Sequence, residues 1–122
     1  MTEQEAYAFV EARLWPTGPV CPKCKYIGNS VKLQGSSTRL GVRKCRHCRK
    51  PFRVTVGTPF ERSHVALSLW LEALAMFRDA KVSVTCDRIE SLGVSRKSAW
   101  QMQRRILDFS RYQPEAFQRL TG

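Results

Sequence analysis

The chain has 122 residues, of which 43% are hydrophobic, and its formal net charge is +11. This length suits one domain or two very small ones, and the composition is that of a folded protein. The longest apolar run, residues 65–71, is interrupted by Ser68 and is far too short to span a bilayer. The acidic start of the chain lacks the apolar core of a signal peptide. We therefore expect a globular cytoplasmic protein.

The positive charge is concentrated in one part of the chain. Residues 1–20 carry a net charge of −2, residues 21–62 carry +10, and the remaining residues carry +3. A cationic segment of this kind favours binding to a polyanion. We expect a nucleic acid as the partner, associated with the nucleoid, and neither a membrane nor a small-molecule substrate.

The first predicted element is a helix over residues 2–14. Thr2 and Glu5 have the spacing of a capping box at its start. Its apolar stripe consists of Tyr7, Val10 and Leu14. Two prolines and a glycine in residues 15–19 end the helix. Trp15 is expected to pack in the core.

Two Cys-x-x-Cys pairs follow, Cys21 with Cys24 and Cys45 with Cys48, separated by twenty residues. Two residues between cysteines allow a tight turn to aim both sulfurs at one ion, while amides of the turn donate to the thiolates. Two such turns complete a tetrahedron, so the spacing predicts one structural Zn²⁺ ion bound by four cysteines. A reducing cytosol also favours metal over the alternatives, which are two disulfides or free thiols. His47 is expected on the surface, because four cysteines already close the tetrahedron.

The residues between and after the cysteine pairs alternate between apolar and polar, which predicts three short antiparallel strands. The strands are placed at residues 30–34, 38–44 and 52–56, with a turn at residues 35–37. Three short strands bury too little apolar surface to be stable alone, so zinc binding has to supply the difference. The N-terminal helix and this zinc ribbon are predicted to form one domain, residues 1–62.

From Ser63 onwards, apolar residues recur at every third or fourth position, which predicts three helices. The first is capped by Ser63 and ends near Asp79. The second covers residues 84–92 and is capped by Ser83.

Gly93 then allows a left-handed turn, and Ser95 caps the third helix, from residue 96 to about residue 109. The buried face of this helix is predicted to consist of Ala99, Met102 and Ile106, widened by Trp100 and Leu107. The chain is therefore of the α+β class, with a three-helix helix-turn-helix domain over residues 63–122.

A helix-turn-helix places the first turns of its last helix in the major groove of DNA. The residues expected to point at base edges or phosphates are Arg96, Lys97, Ser98 and Gln101, with Arg104 and Arg105 further along. The ribbon residues expected to contact phosphates are Lys44, Arg46, Arg49, Lys50 and Arg53. The alternative for the helix is an ordinary solvated basic face.

Several stretches of the sequence carry a resemblance to a known family. In the cysteine-rich part they are Trp15 to Cys24, Cys45 to Phe52 and Gly57 to Phe60, and in the helical part they are Leu69-Trp70 and Gly93 to Trp100. Together they resemble the zinc ribbon and the helical DNA-binding part of ISXO2-like transposases of the IS1595 group. The resemblance implies zinc binding by the four cysteines and binding to the terminal repeats of a mobile element.

Members of that family continue into a catalytic domain whose acidic residues hold two metal ions, and this chain ends where that domain would begin. We therefore expect no enzymatic activity and no catalytic residues. The leading interpretation is the double-stranded DNA-binding part of a transposase, which acts in DNA recombination. The alternatives are a stand-alone transcription regulator, an RNA-binding zinc ribbon, and an enzyme that uses the cysteine pairs or His47. A homodimer or a protein partner could use Trp15, Phe60 or the N-terminal helix.

Overall fold

The computed structural model describes residues 2–28, 30–33, 40–79 and 84–121. The elements in chain order are α1 (Glu3–Leu14), β1 (Ser30–Lys32), β2 (Arg43–Cys45), β3 (Pro51–Phe52), α2 (Leu67–Asp79), α3 (Cys86–Glu90), α4 (Arg96–Tyr112) and α5 (Pro114–Thr121). The predicted α+β class and the three antiparallel strands are confirmed.

The chain divides into two compact units, the ribbon unit (residues 1–57) and the helical unit (residues 58–122). The domain boundary between residues 62 and 63 stays a prediction, since a compact unit is not thereby an independently folding domain.

Helix α1 begins where the sequence predicts. The Thr2 hydroxyl oxygen accepts a hydrogen bond from the Glu5 amide at 3.1 Å, and the hydroxyl donates to the Glu5 carboxylate at 3.2 Å. This reciprocal pair satisfies an amide of the first turn that has no partner within the helix. Ala6 and Val10 are buried on one side of the helix.

Three contacts hold α1 within the ribbon unit. Arg53 donates to the Tyr7 hydroxyl at 3.0 Å, and Arg43 donates to the Glu11 carboxylate at 3.4 Å. Gly41 lies directly beneath the Tyr7 ring, and a Cβ atom at Gly41 would be 2.6 Å from that ring. The helix is therefore part of the ribbon unit.

Strand β2 is the centre of the sheet and pairs antiparallel with β1 and β3. Val31 is opposite Lys44, and Arg43 is opposite Phe52. Beyond β1 the pairing continues, because the Leu33 amide donates to the Val42 carbonyl at 3.0 Å. The predicted turn at residues 35–37 lies outside the described residues.

Two strand boundaries differ from the prediction. Strand β2 starts at Arg43, so residues 40–42, which the prediction includes in the strand, lie before it. Gly41 has a φ of 83°, which is far from the values of a regular strand. Residues 38 and 39 of the predicted strand lie outside the described residues. Strand β3 ends at Phe52, so the prediction that it continues to Val56 is wrong. The Val56 amide donates to the Arg53 carbonyl at 3.2 Å, which closes a turn in place of a strand.

In the helical unit, α2 begins at Leu67, four residues after the predicted cap. Ser63 does not cap the helix. Its hydroxyl oxygen accepts hydrogen bonds from the Val65 amide at 3.1 Å and from the Trp70 indole at 3.0 Å. Ser63 thereby satisfies the one polar atom of the Trp70 side chain, which lies buried in the core with Leu74.

Helix α3 is shorter than predicted and is capped by Thr85, whose hydroxyl oxygen accepts from the Arg88 amide at 3.4 Å. Ser83, the predicted cap, lies outside the described residues. Gly93 has a φ of 102°, which confirms the predicted left-handed turn. Ser95 caps α4 by accepting from the Ser98 amide at 3.1 Å, also as predicted.

The predicted buried face of α4 is correct in part. Ala99, Met102 and Ile106 are buried, together with Phe109. The prediction that two further residues widen this face is wrong, because Trp100 is 51% exposed and Leu107 is 47% exposed. At 100° per residue both side chains point away from the line of buried positions.

Helix α5 was not predicted. It starts at Pro114, in the first helical position that proline favours, after Gln113 ends α4. Phe117 packs edge-on against Phe109, with ring centroids 6.1 Å apart, and Leu120 is buried. None of the helices in the described ranges is long and apolar enough to cross a membrane.

Replacing Gly41 with alanine should destabilise the ribbon unit by about 2–3 kcal/mol, because strain and a clash act together. The added methyl would meet the Tyr7 ring at a backbone position with positive φ. Gly28→Ala is the matched control, since its φ is 72° but nothing lies within 4 Å of the new atom. It should cost about 1 kcal/mol. Guanidinium unfolding of the zinc-loaded chain measures both, and equal losses would contradict the role given to Tyr7.

Candidate metal centre and nucleic-acid interface

The four cysteine sulfurs of the ribbon unit converge on one point. The Sγ atoms of Cys21 and Cys48 are 3.6 Å apart, and those of Cys24 and Cys45 are 3.5 Å apart. All four lie within 4.8 Å of one another. A tetrahedron with zinc–sulfur bonds of about 2.3 Å has edges of about 3.8 Å, so the sulfurs fit a Zn²⁺ ion. A disulfide would need about 2.05 Å, so none of the four cysteines is in a disulfide.

The two cysteine turns have the same backbone geometry. The Cys21 amide donates to the Tyr26 carbonyl, and the Cys45 amide donates to the Lys50 carbonyl, each at 3.1 Å. The residue after the second cysteine of each pair is left-handed, with a φ of 65° at Lys25 and 62° at Arg49. This conformation costs a residue with a side chain about 1 kcal/mol. Each turn therefore places a cation at a position that glycine would occupy without strain.

Amides of the two turns also lower the pKa of some of the cysteine thiols, which favours the thiolate form that binds a metal ion. Burial opposes ionisation of Cys21, but amides of its own turn donate to the sulfur, and its pKa falls from 9.0 to about 6. The Cys48 amide lies 3.5 Å from the Cys45 sulfur and lowers the pKa of Cys45.

Cys24 is different. A turn amide favours its thiolate, but burial and the three neighbouring sulfurs raise its pKa to about 12. Four thiolates at one point therefore require a cation, which is what a metal ion supplies.

Apolar packing supports the site from one side. Cys21, Cys45 and Phe52 form a buried cluster, and Trp15 packs against it. The Trp15 and Phe52 rings meet edge to face, with centroids 5.7 Å apart. Trp15 is thus partly buried and packs against the core, which agrees in part with the prediction, and this packing supports the backbone that carries the ligands.

The two histidines lie outside the cysteine cluster. His47 is exposed and stacks on Tyr26, with ring centroids 4.3 Å apart. His64 is also exposed, and its Nε2 lies 3.4 Å from the Ser98 hydroxyl. Within residues 2–28, 30–33, 40–79 and 84–121, the four cysteines are the one group of three or more histidine, cysteine or acidic residues placed to share a metal ion.

Similarity to a known protein family agrees with the zinc site that the four cysteines form. Residues 1–51 match the transposase zinc-ribbon domain of the IS1595 group. The predicted resemblance and the predicted structural zinc are confirmed.

A curated relative extends the similarity into the helical unit. It is an uncharacterized protein in transposable element ISH50 of Halobacterium salinarum, 28% identical over 108 residues. The match covers 88% of this chain and 35% of the relative, so the chain spans about a third of that protein's length. No solved structure matches.

The basic residues predicted to contact DNA from the ribbon unit differ in their surroundings. Four are exposed on β2 and the second cysteine turn, namely Lys44, Arg46, Arg49 and Lys50. Arg53 is half-buried, and its guanidinium holds the Tyr7 hydroxyl. The first four are exposed to solvent, whereas Arg53 has a contact within the ribbon unit.

The six residues predicted on α4 also separate into two groups. Arg96 forms ion pairs with Asp87 and Glu90 of α3. Ser98 is buried, and its hydroxyl accepts a hydrogen bond from the Ser95 hydroxyl at 3.1 Å. Arg105 donates to two main-chain carbonyls, at 3.3 and 3.4 Å, in the segment before α2. All three side chains make contacts within the helical unit, although Arg96 is itself exposed.

The other three predicted residues of α4 face outwards. Lys97 and Arg104 are exposed, and Gln101 is half-buried. The Arg104 guanidinium lies over the exposed ring of Trp100, 4.9 Å from its centroid. Sequence reasoning placed Trp100 in the core, so this contact was missed. The sequence pattern that could have revealed this contact is the spacing of three or four residues between Trp100 and the basic residues of α4.

Removing zinc with a chelator should unfold the ribbon unit, because zinc binding contributes about 10–16 kcal/mol to the folding of such sites. Hydrogen exchange measured by mass spectrometry should then show loss of protection in β1, β2 and β3. The helical unit should keep its protection. Unchanged exchange in the strands after complete zinc removal would contradict a structural role for the metal.

A matched pair of variants tests the ligand assignment. Cys45→Ser should lose the zinc ion, because one thiolate of the tetrahedron is gone. Cys86→Ser should retain one zinc per chain, because Cys86 hydrogen-bonds Gln103 in the helical unit and lies outside the cluster. Metal content by mass spectrometry under native conditions distinguishes the two.

Proposed function

We propose that this chain is a zinc-dependent module that binds double-stranded DNA and recognises the ends of a mobile element. The observation that carries the proposal is the dense group of exposed cations on a scaffold fixed by zinc. Residues 21–62 have a formal net charge of +10, or about +8 with one Zn²⁺ bound by four thiolates, and Lys44, Arg46, Arg49 and Lys50 are exposed on two adjacent elements. Such a positively charged surface is complementary to the regularly spaced negative charges of a DNA backbone.

The strained positions of Lys25 and Arg49 also support this role. Glycine would relieve the left-handed conformation at both positions, yet each holds a long cationic side chain. Strain of this kind persists where the surroundings hold it in place, and it is concentrated at functional sites. A phosphate contact is a function that a cation can serve and a glycine side chain cannot.

The helical unit is proposed to supply the sequence preference. Helix α3, the turn at Gly93 and helix α4 have the order of a helix-turn-helix, in which α4 would be the reading helix. Lys97, Gln101 and Arg104 face outwards on its first three turns. Arginine and lysine can pair with guanine, and glutamine with adenine, so these side chains are suited to reading base edges.

The proposed role is binding without chemistry on the DNA. Two-metal strand transfer needs carboxylates that converge on ions about 4 Å apart. In the described ranges, Asp79 is paired with Arg78, while Asp87 and Glu90 are paired with Arg96. We therefore assign DNA recognition and association with the nucleoid to this chain. We assign no DNA strand cleavage to its 122 residues.

Salt dependence tests the electrostatic part of the proposal. If about six phosphates are neutralised, the logarithm of the affinity should fall against the logarithm of the salt concentration with a slope of about −5. Fluorescence anisotropy with a labelled 20-base-pair duplex measures this slope. Binding that is insensitive to salt, or stronger binding to duplex RNA, would refute the assignment to duplex DNA.

Selection of bound sequences from random duplex DNA tests the division of roles. A consensus should emerge, and Lys97→Ala or Gln101→Ala should change the preference at individual positions. Lys44→Ala should weaken binding to all sequences alike, because phosphate contacts carry no sequence information. Strong binding with no enriched sequence would contradict a reading helix.

Replacing Arg49 with glycine should separate stability from binding. Relief of the left-handed strain should leave the ribbon unit as stable as before or up to about 1 kcal/mol more stable. DNA affinity should fall, and the salt slope should lose about one unit. Arg49→Lys is the control, since it keeps both the strain and the charge. Equal affinity of the glycine and lysine variants would remove Arg49 from the interface.

A further inference from the structure

One helix face of the helical unit combines exposed apolar and cationic side chains. Its members lie on α4 at spacings of three or four residues, and all are exposed: Lys97, Trp100, Arg104, Leu107 and Arg111. Residues with this spacing form one line along a helix. We call this line the outer stripe of α4. The buried residues of α4 lie on its other side.

Trp100 is the unusual member of the outer stripe. Its indole is 51% exposed, although tryptophan is one of the side chains that gains most from burial. The Arg104 guanidinium lies 4.9 Å from the centre of the ring, so a cation–π contact orients the indole on the helix surface. The ring is thus displayed on the helix surface beside a cation that contacts its face.

The charges beside Trp100 point to the chemistry of its partner. Lys97 precedes the indole by one turn and Arg104 follows it by one turn, and with Arg111 a cation occurs at every second turn of the stripe. The one acidic residue of α4, Asp108, lies beside the stripe near Leu107. The outer stripe has an apolar ring between two cations. A complementary partner would carry regularly spaced negative charges with apolar groups between them.

The DNA major groove has that character. Phosphates line its edges, and the thymine 5-methyl group is the apolar feature that base pairs present there. We propose that Trp100 is a specificity-determining residue that packs against thymine methyl groups in the major groove, held in position by Arg104. This inference rests on the proposed function, since it assigns a new contact to the same helix.

The experiment removes the methyl group from the DNA and the indole from the protein. The probe is the duplex that the wild-type chain selects from a random pool, in two versions, one with thymine and one with deoxyuridine at every thymine position. Affinities are measured for the wild type, Trp100→Ala and Trp100→Phe, with zinc content and circular dichroism as checks of folding. Tyr112→Ala is the matched control, because Tyr112 is an aromatic residue of α4 that is 73% exposed and lies off the outer stripe.

For the wild type we expect the deoxyuridine duplex to bind at least 5-fold more weakly than the thymine duplex. Trp100→Ala should bind the thymine duplex at least 5-fold more weakly than the wild type, with an unchanged salt slope, and should no longer distinguish the two duplexes. Trp100→Phe should keep part of the discrimination, and Tyr112→Ala should behave as the wild type.

Three results would overturn the proposal while leaving DNA binding intact. They are wild-type affinity in Trp100→Ala, a thymine preference that survives in this variant, and a change in oligomeric state by analytical ultracentrifugation with unchanged DNA affinity. The last result would assign the outer stripe to contacts between copies of the chain. Failure of the zinc-loaded wild type to bind any duplex would instead overturn the proposed function, and this inference with it.

Discussion

The convergence of four cysteine sulfurs on one zinc ion is the constraint on which the ribbon unit depends. Its strands have three, three and two residues, and its buried cluster is built around Cys21, Cys45 and Phe52. A sheet of that size does not bury enough apolar surface to be stable in water. Zinc supplies the missing free energy, and its charge also offsets the burial and the neighbouring sulfurs that raise the pKa of Cys24 to about 12. The metal therefore solves a folding problem and an electrostatic problem together.

Stabilisation by metal also explains how so small a unit tolerates so many cations. Ligand bonds hold the two cysteine turns, so side chains on their outer surfaces do not have to contribute to a core. Lys25 and Arg49 occupy left-handed positions whose strain a weaker scaffold would have to relieve with glycine. Because the metal holds the two turns, the residues on their outer surfaces can be cationic without being needed for a core.

The helical unit uses its basic residues differently. Arg105 donates to main-chain carbonyls before α2, and Arg78 donates to the Thr121 carbonyl at the end of α5. Arg96 joins α4 to α3 through two carboxylates. Charge alone therefore overstates the surface offered to a nucleic acid. Three exposed cations, Lys97, Arg104 and Arg111, lie on one line of α4, and this line also carries an exposed indole.

The sequence by itself determined the zinc ligands, the start of α1, and the turn from Gly93 to the cap at Ser95. Each of these features depends on a few residues that are close in sequence, so it forms in the same way whatever the overall fold is. The sequence could not decide where β3 ends or where α2 begins, because the same apolar residues suit a strand or a turn until their neighbours are in place. It also could not set which side of α4 is buried. Two sets of apolar residues on α4 recur at helical spacing, Ala99, Met102 and Ile106 on one side and Trp100 and Leu107 on another, so the spacing alone allows either set to face the core. Packing decided between them, because the structure buries the first set and exposes the second.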